Sequence, residues 1–199
     1  MALDPTTLDI VHYPHPALRH KSKPIVKVDA NLRDAIQAMF PLMYEARGIG
    51  LAANQVDLPL RVFILNLKSD PEEGEELVFI NPEINRPKGL DEKEEGCLSM
   101  PGINGLVKRP DTLHVQAYDL SGNLFDATVD GLMARAIQHE TDHLDGVLFT
   151  DKLSETGKLA VRDELYELEV AFQSMRDTGG MPDDATILAR LEAIEKQYA

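Results

Sequence analysis

Apolar residues recur at three- and four-residue spacing from Asn31 to Tyr44, so that Leu32, Ile36, Met39, Phe40 and Met43 would share one side of a helix. Pro41 falls late in that stretch and, lacking an N–H, should bend or loosen its last turn. The period then shortens. RVFILNL (61–67) and ELVFINPEI (76–84) are rich in β-branched and aromatic residues and bounded by Pro, Gly and acidic turns, which predicts two strands. LHVQAYD and NLFDATV, joined through Leu120-Ser121-Gly122, predict a hairpin. From Leu132 the helical spacing returns: Met133, Ala136, Ile137, His139, Glu140, His143 and Leu144 continue one helix, and Gly146 is placed to end it in a left-handed conformation. Beyond Leu153 the chain is charged and helical, with a breaker at Thr178-Gly179-Gly180-Met181-Pro182. The order of periods predicts an α+β fold: antiparallel strands packed around one central helix, residues 1–153 forming one domain and 154–199 an acidic helical C-terminal extension.

Composition narrows the classes. A chain of 199 residues can bury one sizeable core, and a hydrophobic fraction of 43% with 27% charged residues suits a globular protein. There is no run of about 18 apolar residues, and MALDPTTLDI has the form of neither a signal nor a transit peptide, so the expectation is a cytoplasmic protein with no membrane partner. The net charge of −14 would repel phosphate backbones, which argues against nucleic acid as a direct substrate. A single cysteine rules out an intramolecular disulfide, leaving Cys97 as a buried small hydrophobe, a metal ligand or a reactive thiol.

The chemistry concentrates in QHETDHLDG (138–146). Residues four apart on a helix share a face, so His139 and His143 can offer imidazoles to one ion, with Glu140 beside them. A divalent ion lowers the pKa of its water to about 7, and an adjacent carboxylate can take that proton and deliver it to a leaving group. Together these imply hydrolysis of a carbonyl compound; the bland alternative is two surface histidines on a polar helix. The third ligand decides the class. A protease motif with a third histidine fails because Phe149 stands at the required position, whereas Glu164 or Glu167 could serve the other HExxH metalloprotease class. Upstream, EGCLSMPG offers Cys97, a soft ligand that with two histidines would leave one position open.

Three segments, GIGLAANQ, EGCLS and QHETDHLDG, resemble the peptide deformylase family in sequence, order and spacing, and the resemblance spans roughly residues 8–153. It implies Cys97, His139 and His143 as metal ligands, Glu140 as the acid/base group, and Gln55 with the Leu98 N–H as donors to the formyl oxygen of an N-formylmethionyl peptide. It further implies one divalent metal ion, Fe2+ in the cell, with Zn2+, Ni2+ or Co2+ able to substitute. For the methionine side chain, Leu132, Ala136 and His139 at i, i+4 and i+7 could wall an apolar slot together with Ile49. Gly48-Ile49-Gly50 can present backbone for an extended peptide to pair with.

Other features receive plainer readings. His12, His15 and His20 lie among prolines in what should be an exposed loop, and Glu95 pairs with Arg109 either beneath the Cys97 loop or at the surface. Asn104 stands where many family members carry an arginine. Residues 154–199 hold five basic and ten acidic residues, a net of −5, which predicts no strong ribosome docking. Their apolar positions, among them Leu165, Leu168, Val170, Phe172, Ile187, Leu191 and Ile194, should pack on the catalytic domain or form a homodimer.

Overall fold

The computed structural model describes residues 3–199. Its centre is a five-stranded antiparallel sheet of order β1-β2-β3-β6-β7, formed by Gly50–Ala52, Val62–Leu65, Leu77–Lys88, Thr112–Tyr118 and Leu124–Asp130. Strand β2 shows why the sheet needs cover on both sides. Its four residues are all buried, with Val62 and Ile64 facing one apolar cluster and Phe63 and Leu65 the other, as a side-chain period of two requires. Helix α1 (Ala30–Glu45) supplies Leu32, Ile36, Met39 and Met43 to the first cluster, and α2 (Gly131–Leu144) supplies Ala134, Ile137 and Leu144 to the second.

Helix α1 starts where Asp29 accepts a hydrogen bond from the Leu32 N–H, and it runs through Pro41 to Glu45. Pro41 is exposed, so the carbonyl its missing N–H would have met lies on the solvent side, and the expected loosening does not end the helix. Helix α2 ends as the glycine predicted. Gly146 has φ 72°, and a Cβ there would press into the Arg19 carbonyl.

The sequence pattern missed a second sheet, β4 (Asp91–Cys97) paired with β5 (Met100–Arg109), and undercounted β3, which continues past Pro82 to Lys88. The continuation carries two register shifts, near Asn81 and Arg86, both at positive φ. Beneath β4–β5 lies a third cluster that includes Leu18, Met100, Val107, Phe149 and Leu153.

After residue 153 the chain forms α3 (Glu155–Ala160), α4 (Arg162–Asp177) and α5 (Asp184–Tyr198). Most of the apolar positions flagged there are used within the chain. Leu165 and Leu168 pack on the third cluster, Phe172, Ile187 and Leu191 are buried, and Ile194 lies against the first cluster, where Tyr198 is wholly buried. Val170 faces solvent.

Candidate metal and catalytic site

Two elements meet to form the site. The end of β4 presents Cys97, and α2 presents His139 and His143 from successive turns; their ligand atoms all lie within 4.8 Å of one another. Cys97 Sγ is 3.2 Å from His143 Nε2. Among the described residues this is the single group of three or more His, Cys, Asp or Glu side chains placed to share an ion. Glu164 and Glu167 are exposed on α4 and belong neither to this group nor to the cleft beside it, so the alternative third ligand fails on position.

What joins the two elements is charge. Glu95 is 5% exposed and accepts hydrogen bonds from Arg109 at 2.6 and 2.8 Å, from Arg135 at 2.6 Å and from His139 Nδ1 at 3.0 Å. The pair with Arg109 is thus internal rather than superficial. Arg109 also binds Asp142 on α2 at 2.6 Å, Arg135 reaches the Val107 and Asp91 carbonyls, and Gln138 Nε2 donates to the Pro110 carbonyl. Burial works to raise the Glu95 carboxyl, but hydrogen bonds from His139 and Arg109 outweigh it and hold it at about 2. With Nδ1 committed to Glu95, His139 turns Nε2 inward.

The electrostatics of the triad ask for positive charge at its centre. Burial lowers the His139 pKa, yet the Cys97 sulfur and the Glu95 carboxylate override it and lift it to about 10. His143 moves the other way: burial, then the neighbouring His139 charge, keep it neutral. A cation held by the same three atoms would meet that demand in place of the His139 proton. Glu140 is buried, its Oε2 has no hydrogen-bond partner, and burial raises its carboxyl to about 7. Gly50 makes this position tenable, because a Cβ there would fall on Glu140 Oε1. A soft thiolate, two imidazoles and an unpaired buried carboxylate oxygen fit a divalent transition-metal ion.

GIGLAANQ forms β1 and a 3-10 turn, Ala53–Val56. Gln55 Oε1 accepts from the Ala52 N–H at 2.8 Å, which orients Nε2 toward Ser99 Oγ at 3.2 Å and Cys97 Sγ at 3.4 Å. Asn54 Nδ2 donates to the His143 carbonyl, tying this turn to the end of α2. A cleft of about 610 Å³ opens over these groups, lined by Gly48, Ile49, Gly50, Gln55, Cys97, Leu98, Ala136, His139 and Glu140 among others, with Leu132 half-exposed at its lip and Asn104 on its wall. Every residue singled out for the site therefore borders one cleft, except His143, which lies buried behind it.

Several contributors were missed. Arg135 reads as a surface residue of an amphipathic helix but is buried, and Ser99, Asn54 and Asp142 lie inside the three motifs although no supporting contact was assigned to them. The loop histidines need correction too: His15 is buried and His20 binds Glu195 at 2.8 Å, while only His12 is exposed, at the cleft.

Comparison with known proteins agrees with this geometry. The family model described as polypeptide deformylase matches residues 7–159. A peptide deformylase from Rhodopirellula baltica is 49% identical over 191 residues, covering 96% of this chain and 95% of the relative. Peptide deformylase 1B, chloroplastic/mitochondrial, of Arabidopsis thaliana is 41% identical over 186 residues, 93% of this chain and 67% of its own length. Among solved structures, a plant peptide deformylase superimposes with a TM-score of 0.83 at 41% identity, covering 90% of this chain and 96% of that one.

Proposed function

Because the chain belongs to the peptide deformylase family, we propose that Cys97, His139 and His143 hold its one divalent ion and that Glu140, Gln55 and the Leu98 N–H divide the remaining work of the reaction. The enzyme removes the N-formyl group from the N-terminal formylmethionine of newly made polypeptides and releases formate. When bound, the ion supplies Lewis acidity and lowers the pKa of water to about 7. The clustering of three ligand atoms within 4.8 Å, beside a buried carboxylate oxygen with no partner, carries this reading.

Each side chain has one task. Glu140, raised to about 7 by burial, takes a proton from water and returns it to the departing amine nitrogen. Gln55, whose Oε1 accepts from the Ala52 N–H and whose Nε2 also reaches Ser99 Oγ, and the Leu98 N–H donate to the formyl oxygen as charge grows there, each donor worth roughly 3–4 kcal/mol. Ile49, Leu132 and Ala136 receive the methionine side chain, and the Gly48-Ile49-Gly50 edge beside β1 pairs with the extended peptide backbone. The family resemblance points to Fe2+ as the ion in the cell, and the mixed sulfur and nitrogen donors would also accept Zn2+, Ni2+ or Co2+.

The wider setting follows. No helix among the described residues is long and apolar enough to cross a membrane. Residues 1–153 carry the chemistry, and the net −5 of residues 154–199 disfavours strong ribosome docking. Leu165, Leu168, Phe172, Ile187, Leu191 and Ile194 find cover within the chain, whereas Tyr166, Val170, Met175 and Leu188 stay exposed. Anaerobic purification followed by metal analysis and a formate assay on a formyl-Met peptide tests the whole: one iron per chain with formate release is expected. Cleavage of internal peptide bonds without formate would overturn it.

A further inference from the structure

Segment 11–17 runs between the catalytic loops and the C-terminal helices, and it touches both. On the inner side, the Val11 N–H donates to the Gln55 carbonyl at 2.8 Å, and the Tyr13 N–H donates to the Ser99 carbonyl at 2.9 Å. Ser99 Oγ is in turn the partner of Gln55 Nε2, and Ser99 directly follows Leu98. On the outer side, Tyr13 Oη donates to Glu169 of α4 at 2.8 Å, His15 packs edge-on against Phe172 of α4 with ring centroids 6.2 Å apart, and Ala17 is buried with Ile187 and Leu191 of α5. A second route bypasses the segment: Arg190 of α5 pairs with Asp57, which caps the turn carrying Gln55 in a left-handed conformation, φ 62°.

We propose that α4 and α5 brace the formyl-oxygen donors, with Glu169 and Arg190 as positioning residues that act through Tyr13 and Asp57 on Gln55 and the Leu98–Ser99 turn. Neither residue lines the cleft, so any effect on turnover must travel through those contacts. The inference deepens the role given above to Gln55 and rests on it. A donor aimed at charge that grows only in the transition state alters kcat rather than KM when it is misplaced, and small misplacements are enough to matter.

The test is a mutant cycle on the metal-loaded, full-length enzyme with a formyl-Met peptide. Glu169→Ala and Arg190→Ala should each lower kcat roughly three- to thirtyfold with KM within about twofold and one metal per chain retained. Glu169→Gln, which still accepts from Tyr13, and Arg190→Lys should recover most of the loss. Tyr13→Phe should reproduce Glu169→Ala with a smaller structural change. In a Gln55→Ala background, itself impaired, Arg190→Ala, whose route ends on the Gln55 turn, should have little further effect, while Glu169→Ala should keep only the part that reaches the Leu98–Ser99 turn, an outcome that general loosening of the fold would not give. Unchanged kcat in both Ala variants, or the same fall for Arg190→Ala with and without Gln55, would overturn the brace while leaving the catalytic roles intact. A Gln55→Ala enzyme as fast as the parent would overturn both.

Discussion

Replacing Glu95 with glutamine keeps the shape of the side chain and removes its charge. In the structure each carboxylate oxygen serves two donors: Oε1 accepts from Arg109 and Arg135, and Oε2 from Arg109 and His139. Whichever way the amide is turned, its NH2 must face two of those donors. Two routes give the cost. A carboxyl held at about 2 against an ordinary 4.5 represents roughly 3 kcal/mol of preference for the charged form, and removing one partner of a buried ion pair costs about 3–5 kcal/mol. Arg109 keeps Asp142 and Arg135 keeps two carbonyls, which places Glu95→Gln near the lower figure. Urea unfolding of the metal-free protein at neutral pH, followed by circular dichroism, should therefore show a loss of about 3 kcal/mol. Chelator competition on the same variant should show metal affinity lower by about ten- to a hundredfold, because His139 loses the acceptor that orients it. A stability loss below about 1 kcal/mol together with unchanged metal affinity would refute the claim that this network joins β4 to α2.

Three further expectations follow from the same geometry. Glu140→Ala should retain metal and peptide while turnover falls about a hundredfold or more, read by metal analysis, equilibrium binding and formate release; parent-like turnover would remove Glu140 from the chemistry. Cys97→Ala should lose stoichiometric metal, whereas Glu164→Ala and Glu167→Ala, altering exposed positions on α4, should not; the opposite pattern would reinstate the protease-type site. Tyr198→Ala empties a fully buried position and should cost about 3–5 kcal/mol in urea unfolding, and truncation after Leu153 should lower stability further by uncovering the partners of Phe172, Ile187 and Leu191.

The parts of the fold legible in the sequence are those whose burial is apolar. Leu32, Ile36, Met39 and Met43 mark α1, and α2 declares itself by Ala136, Ile137 and Leu144 around the two histidines. The same reasoning fails for β4, where the one fully inward residue is Glu95 and the rest are charged residues, Gly96 and the half-buried Cys97, so no alternation of apolar and polar positions exists to be read. Its burial is made tolerable by Arg109 and Arg135, which lie 14 and 40 residues away and themselves break the apolar pattern of their own elements. His15 is hidden for a related reason: Phe172, which helps cover it, arrives only with α4. The three motifs pointed to Cys97, His139, His143, Glu140 and Gln55, which the structure brings together, and the Glu95–Arg109 pair was also legible. Arg135 and the Asn54 bond to the His143 carbonyl were not, because a buried salt bridge or an Asn side chain bonded to a distant carbonyl leaves no local period.

Burial of Tyr198 against the partners of α1 also has a temporal side. The Val26 and Lys27 N–H groups wait for the Tyr198 carbonyl, and the apolar cluster that Leu32, Met39 and Met43 share with Tyr198 is incomplete until that residue arrives, although these groups come from opposite ends of the described chain. At translation rates of about 5–20 residues per second, the apolar side of α1 leaves the ribosome on the order of ten seconds or more before its last covering residue has been made. The metal ligands lie between the two and can be brought together in that interval. The apolar face of α1 therefore stays incompletely covered until nearly all of this chain has been made, although every residue proposed for the site precedes that last cover in the sequence.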